Sequence, residues 1–221
     1  MPATAILVDG GYFLKRYPHI FARGDAPERV AANLFTMCIG HFDLLEQPKS
    51  ELYRIFFYDC PPVAKKIHHP LTGRAIDLSK SNEYTFRTQL HSELKRRRKV
   101  ALRLGRLDER AGGWVIRPGP TKLLLAGRIR FGDLREEDVS YEMRQKGVDM
   151  RIGLDIAALA FKRLAGRVIL VSGDADFVPA AKLARREGID FILDPMWQRV
   201  SDDLFEHIDG LQSSCRRPPA P

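Results

Sequence analysis

Short apolar runs that alternate with helix-like segments are the feature of this 221-residue chain that most limits its fold. Apolar patterns typical of buried strands occur at residues 4–8, 52–58, 100–107, 167–171 and 189–193. Apolar residues at helical spacing, or helix start and stop signals, occur at residues 26–45, 83–95, 148–164, 179–188 and 201–208. Strands and helices in alternation predict an α/β fold with a mostly parallel, Rossmann-like sheet and helices on both of its faces.

The connecting segments are predicted from their glycine, proline and charged residues. Glycine and proline within 10–18 predict a loop after the first strand. Gly112 and Gly113 predict a turn that brings the chain back as a strand at 114–116. Residues 118–143 are rich in charge and glycine, which predicts a partly extended segment or a mobile flap.

Positive charge is concentrated in the middle of the chain. Residues 60–146 contain 20 Lys and Arg against 10 Asp and Glu, whereas the rest contains 16 against 18, within a net charge of +8. A basic module beside an acidic edge would suit a nucleic-acid enzyme, although a solvated basic surface gives the same count. We interpret residues 1–212 as one domain with a basic insertion or hairpin at about 100–145, and 213–221 as a disordered tail.

Aspartates follow the predicted strands at the points where these strands end. Asp9 follows the first run and Asp59 the second, and Asp174 and Asp176 lie in a Ser-Gly-Asp-Ala-Asp loop after the run that begins at residue 167. In a parallel sheet such ends meet at one edge, where ligands of these folds bind. Like charges gather only where a cation or a shared proton holds them. The sequence therefore predicts a Mg²⁺ or Mn²⁺ site, with phosphate chemistry as its use.

Each carboxylate also has a purely structural interpretation. Asp9 suits an Asx turn, Asp176 a helix N-cap, and Asp149 the first turn of the helix that begins beside it. Asp155 lies six positions beyond Asp149, about 120° around an ideal helix, so the two cannot face one metal equally well. Asp149 is the predicted ligand, and Asp155 is the weaker candidate, with buried hydrogen bonds as its alternative interpretation. Asp59 is explained equally well as a residue near the metal or as the end of its strand.

Three motifs share their order and spacing with a known family. They are Ile6-Leu7-Val8-Asp9-Gly10, then Lys146-Gly147-Val148-Asp149 with Asp155, and then Leu170-Val171-Ser172-Gly173-Asp174-Ala175-Asp176-Phe177-Val178-Pro179. These motifs resemble the NYN domain of the LabA-like group, within the PIN-like nuclease superfamily, and the resemblance covers residues 4–210. It implies a PIN-like three-layer α/β/α sandwich and a Mg²⁺- or Mn²⁺-dependent ribonuclease. Many relatives have Asn three residues after the first Asp, where this chain has Tyr12.

The resemblance implies an acidic catalytic cluster that hydrolyses RNA phosphodiester bonds. Its members here would be Asp9, Asp149, Asp174 and Asp176. Asp9 and Asp174 are expected to bind the principal metal, and Asp149 to complete the cluster or to hold a second ion. Asp176 is expected to act through water, and Ser172 to donate to a phosphate or to a coordinated water.

The basic segment supplies the predicted contacts with nucleic acid. These contacts are assigned to Lys95, Arg96, Arg97, Arg98, Lys99, Arg103, Arg106, Arg128 and Arg130. The run 95–99 is also what a helix C-terminus favours. Lys146 is expected to approach a phosphate or to pair with the acidic cluster. Trp114 and Tyr84 suit either base stacking or a place in the core or a hairpin.

Other features limit the remaining classes of function. Three cysteines without CxxC spacing argue against a disulfide framework or a zinc site, and His68-His69 before Pro70 is interpreted as a surface pair. No apolar run approaches the roughly 20 residues of a membrane span, which predicts a soluble, cytoplasmic protein with no membrane partner. RNA, single-stranded or a structured small RNA, is the expected partner, and a homodimer is compatible with the sequence but not supported by it. A non-catalytic RNA-binding or regulatory adaptor on the same fold is the alternative function.

Overall fold

The computed structural model describes residues 3–218, except for the side chains of 108–111 and 144–146. Its strands are β1 (Thr4–Asp9), β2 (Leu52–Asp59), β3 (Lys66–His68), β4 (Ala75–Asp77), β5 (Val100–Leu104), β6 (Arg106–Ile116), β7 (Val139–Lys146), β8 (Arg167–Val171), β9 (Asp190–Asp194) and β10 (Gly210–Leu211). Its α-helices are α1 (Gly10–Ile20), α2 (Pro27–Leu44), α3 (Asn82–Lys95), α4 (Pro118–Leu125), α5 (Val148–Phe161), α6 (Val178–Arg186) and α7 (Asp202–Glu206). Within the described residues, no helix combines the length and apolarity that crossing a membrane requires.

A six-stranded parallel sheet with helices on both faces forms the centre of the molecule. Helices α1, α2 and α3 cover one face, where Phe13 and Leu90 pack in the same buried cluster as Val8. Helices α5, α6 and α7 cover the other face, where Ile152 packs in the same cluster as Leu7. Successive residues of β1 point to opposite faces, so a strand covered on both sides is apolar throughout. The predicted α/β/α architecture with a mostly parallel sheet is confirmed.

The strand order β10-β9-β8-β1-β2-β5 reverses direction at β1. The chain moves from β1 outward through β2 and β5, and later returns to the other side of β1 with β8. Val8 pairs with Val171 and Asp9 with Tyr58, so the carboxyl ends of β1, β2 and β8 lie side by side. Such a reversal leaves a crevice outside the strand ends, which is where open α/β sheets bind ligands.

The chain after β1 is the helix α1, and the predicted loop at 10–18 was wrong. Phe13 and Tyr17 are buried against the sheet, which outweighs the roughly 1 kcal/mol that each glycine costs in a helix. Pro18 lies in the last turn of the helix. Gly10 is required by space as well, because a Cβ there would lie 2.5 Å from the backbone oxygen of Tyr58. A strong packing interaction thus overrides two local helix-breaking signals.

The basic insertion is built on an antiparallel hairpin of β6 and β7, which is separate from the central sheet. The predicted turn at 112–113 was wrong, because β6 continues through these glycines. The register shifts between Asp108 and Gly113, so the glycines accompany a bulge instead of a reversal. Between the two strands lie α4 and two 3₁₀ turns, Phe131–Asp133 and Glu136–Asp138, where an extended segment or flap was predicted.

An aromatic stack joins this hairpin to the smaller hairpin of β3 and β4. The ring centroid of Trp114 lies 4.8 Å from that of His69 and 5.6 Å from that of Tyr141. His69 is buried, so the surface interpretation was wrong for this residue, whereas His68 beside it is exposed. Trp114 is therefore a hairpin residue that braces its neighbours.

The first residues of the predicted disordered tail pack against the core. The Ser214 hydroxyl donates to the backbone oxygen of Met37 at 2.7 Å. Trp197 Nε1 donates to the backbone oxygen of Cys215 at 2.8 Å, and Cys215 is buried. The packed chain thus extends to Cys215, beyond the predicted boundary at residue 212. Residues 219–221 of the predicted tail lie outside the described residues.

Candidate acidic site at the strand ends

Asp9 lies at the end of β1, at the point where the strand order reverses. Its carboxylate caps α1, since Oδ1 accepts a hydrogen bond from the Tyr12 backbone N–H at 3.0 Å. The other oxygen, Oδ2, lies 3.5 Å from the hydroxyl oxygen of Ser172. Burial raises the pKa of Asp9 to about 6, and the negative charges of Asp149 and Asp174 add to this rise, against the lowering effect of the Tyr12 hydrogen bond.

The loop after β8 presents the next two carboxylates. Ser172 is buried, and its hydroxyl accepts a hydrogen bond from the backbone N–H of Asp174 at 3.3 Å. Asp174 in turn accepts from the backbone N–H of Asp176 at 3.0 Å and so caps the 3₁₀ turn Ala175–Phe177. Phe177 is buried and anchors that turn, whereas Asp174 and Asp176 are exposed. The loop thus fixes its backbone internally and leaves two acidic side chains at the surface.

Asp149 arrives from a third part of the chain, the first turn of α5. Loss of hydration raises its pKa, and the charges of Asp174 and Asp176 raise it further. The negative charges of this cluster therefore act on Asp9 and on Asp149, which brings the four carboxylates together as one acidic site. Among the described side chains, no salt bridge involves any of these four carboxylates.

Tyr12 lies beside this cluster but faces its supporting loops. Its hydroxyl donates to the backbone oxygen of Pro195 at 2.6 Å, which ties α1 to the segment after β9. Its ring lies against Gly173, where an added Cβ would come within 2.8 Å of the Tyr12 hydroxyl oxygen. The side chain that stands in place of the family's Asn is therefore a brace between the two loops.

Asp59 ends β2 but lies apart from the acidic cluster. It is fully buried, with the Arg87 guanidinium 2.5 Å from one oxygen and His91 Nε2 2.8 Å from the other. Burial alone would raise the pKa of Asp59, but the hydrogen bond from His91 and the charge of Arg87 outweigh burial and hold it below its ordinary value. Asp59 is thus neutralised by protein groups, and of its two predicted interpretations the structural one describes it.

Asp155 belongs to a second compensated group, on the face of the sheet that α5 covers. Its Oδ2 accepts a hydrogen bond from the Tyr58 hydroxyl at 2.8 Å and lies 3.0 Å from Nε of Arg103. Arg103 also lies over the ring of Phe56, with 5.2 Å between the guanidinium carbon and the ring centroid. Asp155 therefore makes the hydrogen bonds that were its alternative interpretation, and it holds Arg103 beside the acidic cluster.

The predicted nucleic-acid contacts divide between the amino ends of the sheet strands, their carboxyl ends and the insertion. The run 95–99 ends α3 and precedes β5, so it lies at the amino end of the strands, roughly 15–20 Å from the acidic edge by strand length. Arg103 and Arg106 lie at the carboxyl end of β5, on the acidic edge. Arg128 and Arg130 are exposed in the insertion. The side chain of Lys146 lies outside the described residues.

The donors of the acidic cluster suit a hard divalent cation. They are carboxylate oxygens and one hydroxyl, and two of the carboxylates have pKa values raised by neighbouring negative charge that a cation would offset. Within the described residues, no three His, Cys, Asp or Glu side chains form a ready-made set of metal ligands. Mg²⁺ keeps several of its waters and is commonly held by one or two carboxylates, so the donors present fit this ion.

The comparison with protein families gives a match for one part of the chain. Residues 122–208 match the family model of the NYN domain. No curated protein matches the chain. The predicted resemblance to the NYN domain of the PIN-like superfamily is thus confirmed over residues 122–208, and the LabA-like subgroup stays a prediction.

The NYN match contains three of the four clustered carboxylates. Asp149, Asp174 and Asp176 lie within it, together with α5, β8, α6 and β9. Asp9 lies far outside the match in sequence, but the pairing of β1 with β8 brings it to the same edge. Strand β1, inside the sheet, thus supplies the fourth carboxylate of the cluster.

Sequence reasoning missed the Arg87 and His91 side chains that pair with Asp59. A signal was present, since Glu83, Arg87 and His91 recur every four residues and so share one face of α3. That face also carries the contact between Arg87 and Glu83, with 3.5 Å between Arg87 Nε and Glu83 Oε1. What the sequence alone lacks is the packing of this row against the end of β2.

Proposed function

We propose that this protein hydrolyses RNA phosphodiester bonds with Mg²⁺ or Mn²⁺ at the acidic cluster, as a member of the LabA-like group. The observation that carries the proposal is the convergence of Asp9, Asp149 and Asp174 from three chain segments. None of these three carboxylates forms a salt bridge with a described side chain. NYN domains belong to the PIN-like nuclease superfamily, which makes nuclease chemistry the natural use of such a cluster.

The carboxylates have distinct roles in this proposal. Asp9 and Asp174 hold the cation, and Asp149 completes the negative site or supports a second ion. When bound, the cation would neutralise charge on the phosphate and lower the pKa of a water molecule. Asp176 is exposed and would accept a hydrogen bond from the attacking water. Ser172 keeps the loops of Asp9 and Asp174 at a fixed spacing through its contacts with both.

The RNA backbone would be held by cations at the same edge. Arg103 pairs with Asp155 but is about half exposed, so part of its guanidinium remains open to a phosphate. Arg106 begins the hairpin beside it. Contacts of this kind set affinity and orientation without reading sequence. Affinity should therefore fall steeply as salt is raised.

The test is RNA cleavage by the wild type and by two isosteric variants, Asp9→Asn and Asp174→Asn. Asp43→Asn is the matched control, because Asp43 is exposed near the end of α2, at the opposite edge of the sheet. With Mn²⁺ or Mg²⁺, we expect the two site variants to lose at least about 100-fold in cleavage rate, since even outer-shell partners of a metal are worth about 10–100-fold. Chelator should abolish wild-type cleavage. Equal cleavage by folded Asp174→Asn protein would reject the assignment.

A non-catalytic RNA-binding adaptor is the second candidate. Tyr12 favours it, because a brace between loops stands where relatives place an amide near the metal. The same experiment separates the two functions. An adaptor would bind RNA in the wild type and in both Asn variants, with no turnover at any concentration of Mn²⁺ or Mg²⁺.

A further inference from the structure

A cavity of about 210 Å³ opens next to the end of β2, on the same edge of the sheet as the acidic cluster. Its walls come from the turn after β2, the first turns of α3 and the two strands of the basic hairpin, and include Cys60, Pro61, Tyr84, Arg87, Tyr141 and Met143. Asp9 pairs with Tyr58 across neighbouring strands, and Cys60 is two residues further along. Neighbouring strands lie about 4.8 Å apart, so the cavity begins one strand away from Asp9, on the β2 side of the acidic cluster.

Two tyrosines give the cavity aromatic walls. Tyr84 lies in the first turn of α3, where the Ser81 hydroxyl accepts the hydrogen bond from the Tyr84 backbone N–H at 3.1 Å. Tyr141 is braced by Trp114, which in turn packs on the buried His69. Both walls are thus fixed by contacts outside the cavity. Fixed aromatic rings are what protein surfaces offer to the faces of single-stranded bases.

Arg87 gives the cavity a polar wall whose position is also fixed. Its guanidinium is held by the buried Asp59 at 2.5 Å and by Glu83 at 3.5 Å. A guanidinium carries five N–H donors, so these two partners leave donors for a ligand. The edges of nucleobases present paired acceptors that match such a fork, as O6 and N7 of guanine do. The charge balance between Arg87 and Asp59 also suits an uncharged ring better than a phosphate.

We infer that this cavity binds one RNA base close to the bond that is cleaved, an inference that rests on the proposed ribonuclease function. The volume suits a single ring system, since sites for drug-sized ligands measure roughly 300–1,000 Å³. Stacking on Tyr84 and Tyr141 provides affinity for any base, and Arg87 with Glu83 provides a preference among bases. The acidic cluster would then cut at a fixed distance from the captured base.

The test is a set of RNA oligonucleotides in which one abasic nucleotide is moved along the strand. Binding is measured with Asp174→Asn protein, which prevents turnover, and cleavage with protein that keeps Asp174. The same series is repeated with Tyr84→Ala, with Tyr84→Phe, which keeps the ring, and with Tyr53→Ala. Tyr53 lies near the start of β2, at the opposite edge, and serves as the matched control.

At one abasic position we expect binding to weaken by about tenfold, because stacking of a base on an aromatic side chain is worth about 1–3 kcal/mol. This penalty should disappear in Tyr84→Ala and persist in Tyr84→Phe and Tyr53→Ala. The inference is overturned if no position carries a penalty, if the penalty is unchanged in Tyr84→Ala, or if no RNA binds. A penalty that depends on Tyr84 without any metal-dependent cleavage would support the base site and reject the nuclease proposal alone.

Discussion

Asp9 and Asp59 end neighbouring strands of one sheet, yet their pKa values move in opposite directions. Burial by itself favours the protonated form of both carboxyl groups and so acts to raise both pKa values. Asp59 then receives Arg87 and His91 from α3, whose charge and hydrogen bond bring its pKa below the ordinary value. Asp9 receives a backbone N–H and a distant hydroxyl, and the additional charges near it are negative. At the ends of two neighbouring strands, the ionised form of Asp59 is thus stabilised by its surroundings, and the ionised form of Asp9 is destabilised.

The difference comes from the helices that cover the two faces. Helix α3 brings the Arg87 guanidinium and the His91 imidazole to the end of β2, whereas the first turn of α5 brings another carboxylate, Asp149, to the end of β1. A fold that only needed stability would offset both charges. Uncompensated acidic groups in a crevice are characteristic of functional sites. The comparison therefore supports the proposed metal site at the end of β1 and gives the Asp59 carboxylate at the end of β2 a structural role.

The largest expected effect is a loss of stability in Asp59→Asn. The substitution removes the buried negative charge beside Arg87 and leaves one acceptor oxygen where Arg87 and His91 now have two, which should cost about 3–5 kcal/mol of unfolding free energy in urea at pH 7. The pKa of Asp59 is lowered in the folded state, so its contribution is present above about pH 4 and is lost as pH falls below that value. The difference between wild type and variant should shrink accordingly in acid. A cost under about 1 kcal/mol at pH 7 would contradict the claim that Arg87 and His91 stabilise the Asp59 carboxylate.

The opposite sign is expected for Asp9→Asn in the presence of chelator. Asn still caps α1, but the buried charge and its repulsion from Asp149 and Asp174 disappear. We expect a gain of about 1–2 kcal/mol at pH 7.5, less than the full pKa shift implies because the group is partly exposed to solvent.

The pH dependence of this gain provides its control. The pKa of Asp9 is raised from 3.8 to about 6 on folding, so the folded state holds the proton more tightly between these values. The contribution of Asp9 to stability is therefore greatest below about pH 4, declines up to pH 6 and stays low above it. The gain in the variant should follow the reverse course. Destabilisation by Asp9→Asn at pH 7.5 would show that the carboxylate is compensated after all.

Divalent cations should offset the loss of stability that the ionised Asp9 carboxylate causes, and they should not change the interaction of Asp59 with Arg87 and His91. At ten times its dissociation constant, Mn²⁺ should stabilise the wild type by about 1.4 kcal/mol. Asp43→Asn should respond as the wild type does, and Asp9→Asn and Asp174→Asn should respond much less. Thermal unfolding with and without Mn²⁺ measures this. An equal response in all four proteins would place the ion elsewhere.

The sheet and most of its helices could be predicted because burial on two faces leaves a direct pattern in the sequence, as in 4–8 and 167–171. Helix α1 could not, because its glycines and proline signal a loop and the packing that overrides them is visible only in three dimensions. The bulge in β6 escaped for the same reason. At the site, the motifs predicted four acidic residues, Asp9, Asp149, Asp174 and Asp176, whose catalytic roles stay predictions. They could not show that α3 neutralises Asp59, since that depends on which helix packs against which strand end.

The smallest effect is expected for Asp155→Asn, which tests a compensated pair at the edge of the acidic site. The Asn amide oxygen can still accept from the Tyr58 hydroxyl, and Arg103 is about half exposed, so the loss should be under about 1 kcal/mol. Arg103 would then be released from its carboxylate partner, and RNA should bind more tightly, with a steeper dependence on salt. Fluorescence anisotropy at several salt concentrations measures both. Weaker binding with normal stability would mean that Asp155 positions Arg103 for the phosphate, which would make this pair part of the site instead of its boundary.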